Sequence, residues 1–245
     1  MQVIGCQTHR ILPGESLETI LDGYLPKLVE KDIVVITSKI VSLCQNRVLE
    51  KHQVRDKRTL IEQEADAYLA DDGDSLYGIC LTIKNNILIP SAGIDESNAN
   101  DCYILYPENI PETAAQIWHF LRARDKVRHL GVVLTDSHTS PLRRGVTGIG
   151  LGWCGFEAIR NYVGTLDLFN KPLRVSMANL VDGIAAAAVV VMGEGNEGTP
   201  LCVVKDAPNV VFQTRPPSEA ERAFVSIEPS RDIYAPILNK VRWLP

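Results

Sequence analysis

Ile33-Val34-Val35-Ile36-Thr37-Ser38-Lys39 is an apolar run without alternation that closes on two hydroxyls and a lysine. A run of this kind reads as a buried strand. A helix precedes it, because Leu17, Ile20, Leu21, Tyr24, Leu25 and Leu28 recur at helical spacing and Glu15-Ser16 can start the turn. Beyond it, Arg55 to Leu69 is polar and helix-favouring, with Leu60, Ile61 and Ala65 as its inner face. Gly78 to Ile83 and Ile87 to Ile89 read as strands. Asn85-Asn86 makes the tight turn between them, since asparagine tolerates positive φ.

Pro111 opens the next helix, with Ile117, Phe120 and Leu121 as its apolar stripe. Gly131 to Leu134 is a strand that ends in Thr135-Asp136. Leu173 to Met177 and Leu201 to Val204 read as strands. Leu180 to Val191 reads as an alanine-rich, mostly buried helix interrupted by Gly183, and Ser218 to Val225 as a last helix. Many short strands mixed with helices give an α+β or mixed α/β class, not a simple Rossmann unit. The expected organisation is one domain over residues 1–245, with 213–245 less tightly integrated because the strong polar signatures stop near Phe212.

The bulk numbers limit the function classes. A chain of 245 residues with 45% hydrophobic and 22% charged residues can bury a substantial core. A formal charge of -5 argues against nucleic acid as the main partner. Six cysteines are scattered without a C-x-x-C pair, the pattern of reduced core thiols. The N-terminus has no basic region followed by a long apolar stretch, and the longest apolar run, Ile184 to Met192, is too short to span a bilayer. A cytoplasmic protein is the expectation.

Four polar clusters carry the chemistry. Ser91-Ala92-Gly93-Ile94-Asp95-Glu96-Ser97-Asn98 follows an apolar strand and sets a glycine, two acids, a serine and an asparagine beside the core. Thr135-Asp136 stands with Arg143-Arg144-Gly145, then comes Asp167, then Met192-Gly193-Glu194-Gly195-Asn196-Glu197-Gly198. Asp95 and Asp136 each close a strand, and two aspartates converging from strand ends suit Mg²⁺ or Mn²⁺. Each equally suits a turn or helix cap. Ser97 and Asn98 can hydrogen-bond a phosphate or a base, and the Arg143-Arg144 forks fit phosphate or carboxylate. The glycines after Met192 can expose backbone amides to an anion, with Glu194 and Glu197 available to a metal or an amine. His138 is a candidate base, and Ser38 and Lys39 are candidate phosphate contacts. Alternate glycines at Gly148, Gly150 and Gly152 permit tight backbone packing or close approach to another chain, and no Gly-Lys-Ser/Thr follows to make a P-loop.

In order, Thr37-Ser38-Lys39, Ala92-Gly93-Ile94-Asp95-x-Ser97-Asn98, Thr135-Asp136, Arg143-Arg144-Gly145, Asp167-Leu168, Asp182 and Met192-Gly193-Glu194-Gly195 resemble the coenzyme F420-0:gamma-glutamyl ligase family. The resemblance covers about residues 10 to 205. It implies a non-Rossmann mixed α/β fold, a homodimer, and GTP-dependent addition of L-glutamate to a carboxylate through an acyl phosphate. It implies divalent metal at Asp95 and Asp136, with Ser137 beside the second site, and it leaves room for K⁺. Ser38, Lys39, Asn98 and the loop from Met192 to Thr199 would surround the nucleotide, joined by Gln7 to Arg10. Arg143 or Arg144 would hold the incoming glutamate, and Glu194 or His138 would take the amine proton.

Two stretches depart from the family's pattern. Leu43 stands for a lysine and Gln45 for an acid, and Thr139-Ser140 replace a Gly-Arg pair. These departures leave open both the nucleotide, GTP or ATP, and the acceptor, which the resemblance makes F420-0-like or, as in the branch described as gamma-glutamate ligases of folate metabolism, folate-like. The C-terminal flavin-binding extension of fused homologues is not expected from residues 213–245. The alternative reading is a non-catalytic nucleotide-binding regulatory protein.

Overall fold

The computed structural model describes residues 1–70 and 79–245. In chain order, β1 (Gln2–Cys6), α1 (Leu17–Tyr24), β2 (Ile33–Thr37), α2 (Ser38–Cys44) and β3 (Val48–Glu50) come first. Then follow α3 (Lys57–Glu64), β4 (Ala67–Leu69), β5 (Leu81–Lys84), β6 (Ile87–Pro90) and β7 (Cys102–Ile104). The next stretch holds α4 (Ile110–Asp125), β8 (Gly131–Thr139), β9 (Val146–Cys154), β10 (Ile159–Asn161) and β11 (Met177–Asn179). Last come α5 (Leu180–Met192), β12 (Leu201–Lys205), α6 (Glu219–Val225), α7 (Ala235–Leu238) and β13 (Trp243–Leu244).

The main sheet has the order β1-β12-β2-β8-β9. β2 and β8 pair in parallel, and the other pairs of this sheet are antiparallel. Val34 and Ile36 pack on one side against Leu21, Val41, Trp118 and Leu121 from α1, α2 and α4. Ile33 and Val35 pack on the other side against Ala185 and Ala188 of α5. Both faces of β2 are dry, which is why its sequence does not alternate. At roughly 1.5–3 kcal/mol per fully buried Val or Ile side chain, this central strand fixes the three-layer arrangement. The architecture is mixed α/β, and its single parallel pair excludes a Rossmann unit.

A second sheet has the order β13-β4-β5-β6, and β3 pairs with β7. A smaller core of Leu60, Ile61, Ala92, Ile94, Tyr103 and Leu105 lies with them. The Asn85-Asn86 turn forms as expected: Lys84 pairs with Ile87, and the two asparagines take φ of 52° and 58°. Both central residues at positive φ is the geometry whose twist matches the flanking strands. The expected start of this hairpin's first strand, Gly78, lies outside the described residues.

Five elements differ from expectation. α3 starts at the Asp56 cap, whose Oδ1 accepts from Thr59 N at 2.8 Å, and stops at Glu64. Ala67–Leu69 is strand β4, because pairing with β5 and β13 overrides the helix-favouring composition. β8 runs past Asp136 to Thr139, with a bulge between Leu134 and Thr135. Only Met177 of the expected strand from Leu173 is extended into β11. α5 passes through Gly183 without a break.

The alternate glycines of β9 serve a contact inside the chain. A Cβ at Gly148 would lie 2.4 Å from Ala185 O, and one at Gly150 would lie 2.6 Å from Val181 Cγ2. The bare strand lets α5 sit directly on the sheet. Burial pushes the Cys154 and Cys202 thiols up to about 12, so both stay protonated and unreactive at neutral pH. Among the described residues, no helix is long and apolar enough to cross a membrane.

Candidate active site

The parallel register of β2 and β8 builds the site. Thr37 pairs with Thr135. The parallel pairing ends there, so Ser38, which opens α2, and Asp136, which continues along β8, stand side by side at one edge of the sheet, where open α/β sheets gather ligands. The bulge at Leu134/Thr135 re-aims Asp136. Ser38 and Lys39 form the first turn of α2, so their backbone N–H groups point to the same edge.

Asp95 arrives from the other sheet. After β6, Ser91, Ala92 and Gly93 take φ of 52°, 54° and 73°, three successive left-handed residues. Thr82, fully buried, pins this turn: its hydroxyl accepts from Ala92 N at 2.8 Å and donates to Ile89 O at 2.5 Å. Asp95 then exchanges both backbone hydrogen bonds with Ile104 at 2.9 Å. Its carboxylate meets Lys39 Nζ at 2.7 Å and accepts from Ser97 N at 2.6 Å and Ser97 Oγ at 2.7 Å. Burial is the largest single influence on this carboxyl and raises it. Lys39 and Ser97 together outweigh that, so Asp95 stays below the usual carboxylate range.

Asp136 titrates in the opposite direction. Burial pushes its carboxyl above the ordinary value, and the charge of Asp95 adds to the rise. The Tyr106 hydroxyl, the Ser137 N–H and the Ser38 hydroxyl oppose it without prevailing. Two carboxylates in one cleft, pushed apart by their surroundings, mark a functional site more often than a structural one.

The loop after α5 closes the cleft. Asn98 Nδ2 donates to Gly195 O at 3.0 Å, and Ser137 Oγ donates to Glu194 Oε1 at 2.6 Å. Thr8 N donates to Gly198 O at 2.9 Å, bringing Gln7 to Arg10 to the same wall. Ser38, Lys39, Asp95, Asn98, Asp136, Ser137 and Met192 through Gly198 thus surround one cleft of about 760 Å³, and Asn196 is among its lining. Glu197 accepts from Gly195 N at 2.8 Å, so its carboxylate folds back onto its own loop.

Other candidates stand elsewhere. Arg143 and Arg144 are exposed at the β8–β9 hairpin tip and are not among the residues lining the cleft. His138 lines a second, larger cavity with Asp182. Asp167 Oδ1 accepts from Phe169 N and Lys171 N, both at 2.8 Å, and so organises a tight turn. Leu43 lines the cleft, and Gln45 cross-links to Glu108 and Thr113 through hydrogen bonds of 2.8–3.2 Å.

Sequence reasoning passed over Tyr106. It is 4% exposed and its hydroxyl faces the Asp136 carboxylate. Its ring fills the space beside Gly93, where a Cβ would approach it to 2.2 Å. No motif announces this pairing. The one available signal is the glycine at 93, which only a close neighbour explains.

A divalent ion fits this donor set in one particular way. Among the described residues, no group of three His, Cys, Asp or Glu side chains converges as a ready-made metal cage. Two carboxylates beside an N-terminal helix turn instead match Mg²⁺, which keeps waters and takes the rest of its ligands from substrate phosphates.

A family model described as F420-0:Gamma-glutamyl ligase matches residues 5–206. The coenzyme F420:L-glutamate ligase of Methanosarcina barkeri is 30% identical over 205 residues, 78% of this chain and 80% of that protein. Coenzyme F420:L-glutamate ligase of Methanococcus maripaludis strain C7 is 28% identical over 223 residues, covering 85% and 89%. That of Methanopyrus kandleri is 27% identical over 243 residues, covering 92% and 94%. A mixed α/β scaffold with this cleft, in such company, is an enzyme of the ligase class. The chain belongs to the F420-0:gamma-glutamyl ligase family.

Proposed function

We propose that this chain is a GTP- and divalent-metal-dependent ligase that joins the amine of L-glutamate to a carboxylate acceptor. The observation that carries the reading is that Asp136 of β8 and Asp95, which follows β6 of the second sheet, line one cleft beside the first turn of α2. Helix N-termini and lysines favour phosphate, and the paired carboxylates favour a cation between them and that phosphate. When bound, the ion would neutralise the phosphate oxygens and the carboxylates together.

The residues then divide the work. Lys39, now paired with Asp95, reaches the γ-phosphate by a side-chain rotation. Ser38 and the amides of the α2 N-terminus hold the phosphate oxygens. Asn98 and the loop from Met192 to Gly198 line the nucleotide. The acceptor carboxylate attacks the γ-phosphorus, the bond to the β-phosphate oxygen breaks, and an acyl phosphate forms with GDP as leaving group. The glutamate amine attacks the acyl carbon and expels phosphate. Glu194, in the same cleft and hydrogen-bonded to Ser137, takes the amine proton.

The acceptor class in this reading is F420-0-like or folate-like. The test is a ligation screen with GTP or ATP, Mg²⁺ or Mn²⁺, L-glutamate and each acceptor, read by mass. One glutamyl residue gained with GTP supports the reading. Tight nucleotide binding without product on any acceptor would turn it to the regulatory binder.

A further inference from the structure

A second cavity of about 1390 Å³ adjoins the polar cleft. It exceeds the range of roughly 300–1,000 Å³ usual for small-molecule pockets. Leu88, Ile110 and Trp153 line one side, and Tyr234, Ile237 and Trp243 line the other. The two spaces meet where Thr139 lines both. Tyr106 lines the larger one while its hydroxyl faces Asp136 in the cleft.

The second wall comes from the C-terminal segment, outside residues 5–206 that the family model matches. It is fastened there. Trp243 and Leu244 pair with Leu69 and Tyr68, and Trp243 Nε1 donates to Leu238 O at 3.0 Å. Yet Tyr234 and Ile237 remain 58% and 66% exposed. A secured wall that keeps large apolar side chains open to a cavity is built to be covered by a ligand.

The charges at the border narrow the ligand. Arg47 is already paired with Glu64 and Glu108, and Lys84 with Asp66. Glu112, Asp182 and Asp232 also border the cavity, and its third cation, Arg222, donates to Pro217 O at 2.9 Å, so acids outnumber cations around it by five to three. A body with further negative charge is repelled.

We infer that this cavity takes the acceptor, and that the C-terminal wall selects one with a neutral aromatic or apolar body. Its carboxylate enters past Thr139 and Tyr106 toward Asp136. This rests on the ligase reading for the reaction, but not for the binding.

The binding test uses the neutral fluorophore N-phenyl-1-naphthylamine on the full chain, with pteroate and F420-0 as competitors. The expected result is dye fluorescence on the wild type, displaced by pteroate and not by F420-0, whose body carries a phosphodiester. Ile237→Glu weakens dye and pteroate at least tenfold and leaves Mg²⁺·GTP binding unchanged. Tyr234→Ala, at an exposed position, gives the same direction should Ile237→Glu fail to fold. Unchanged dye binding in both variants would overturn the inference, as would no competition by either acid or stronger competition by F420-0. A dimer broken by Ile237→Glu with competition intact would instead give this face to a second copy. An absence of glutamylation would sink the ligase reading while leaving these binding results to decide the cavity.

Discussion

Asp136 shows how one residue carries a liability for the sake of a site. Its carboxyl is raised by burial, so the folded state holds a proton there more readily than the unfolded chain. The stability linked to this group is fully present below the unfolded value, about 3.9, and is lost as pH rises through the folded one. Above the unfolded value, without divalent ion, the cost of ionising this buried carboxyl therefore opposes folding. Asp136→Asn should melt no lower than the wild type under those conditions, and the wild type should gain relative to it on acidification. Thermal melts of both proteins across pH check this. A clearly lower melting temperature for Asp136→Asn at pH 7 would contradict it.

Gly93 is tied to the same carboxylate through Tyr106. Gly93→Ala adds an atom 2.2 Å from the tyrosine ring at a φ of 73°. Overpacking costs about 1–3 kcal/mol, and the left-handed backbone adds to that. We expect a lowered melting temperature and a larger loss of kcat than of nucleotide affinity. Nucleotide titration beside steady-state kinetics separates the two.

Most of the cleft's residues were legible, and for one reason. Ser38, Lys39, Asp95 and Asp136 are polar groups that follow apolar runs, and such runs of a mixed sheet converge even though β8 continues through Asp136 to Thr139. Tyr106 was not legible, because its place depends on a vacancy left by a residue thirteen positions earlier. Arg143 and Arg144 read as ligand forks from their adjacency, but spacing does not report that a hairpin carries them to an exposed tip.

At the scale of elements, glycine has two opposite meanings in this chain. On β9 it lets α5 touch the sheet, so Gly148→Ala meets the Ala185 carbonyl at 2.4 Å. In α5 itself, a Cβ at Gly183 meets nothing within 4 Å. Gly148→Ala should destabilise by about 1–3 kcal/mol, while Gly183→Ala should stabilise by roughly 0.5–1 kcal/mol. Urea unfolding of the two variants reads both signs. Equal effects in one direction would refute the packing account.

The same contrast explains the element bounds. β2 was legible because both its faces are buried, and α4 because a proline and an apolar stripe mark it. The strand at Ala67–Leu69 was hidden, since it is sandwiched between β5 and β13, and β13 lies at the far end of the sequence. Tertiary pairing decided it against local propensity.

At the scale of the whole molecule, the proposed metal would take two carboxylates from the cleft and its remaining ligands from phosphate and water, since no group of three ligating side chains converges among the described residues. Mg²⁺ or Mn²⁺ alone should therefore shift the melting temperature little, and GTP alone only modestly. Together they should shift it by more than the sum. Thermal shift with each ligand singly and combined reads this coupling, and a full shift from metal alone would contradict the two-carboxylate site.

The central claim is that this cleft activates a carboxylate with GTP and hands it to glutamate. Its most direct test follows phosphate and product together in one reaction with GTP, Mn²⁺, L-glutamate and acceptor, for the wild type and Asp136→Asn. One phosphate should be released per glutamyl residue added in the wild type, and neither should appear with Asp136→Asn. Product that still forms in Asp136→Asn, or phosphate released without product in the wild type, would contradict it.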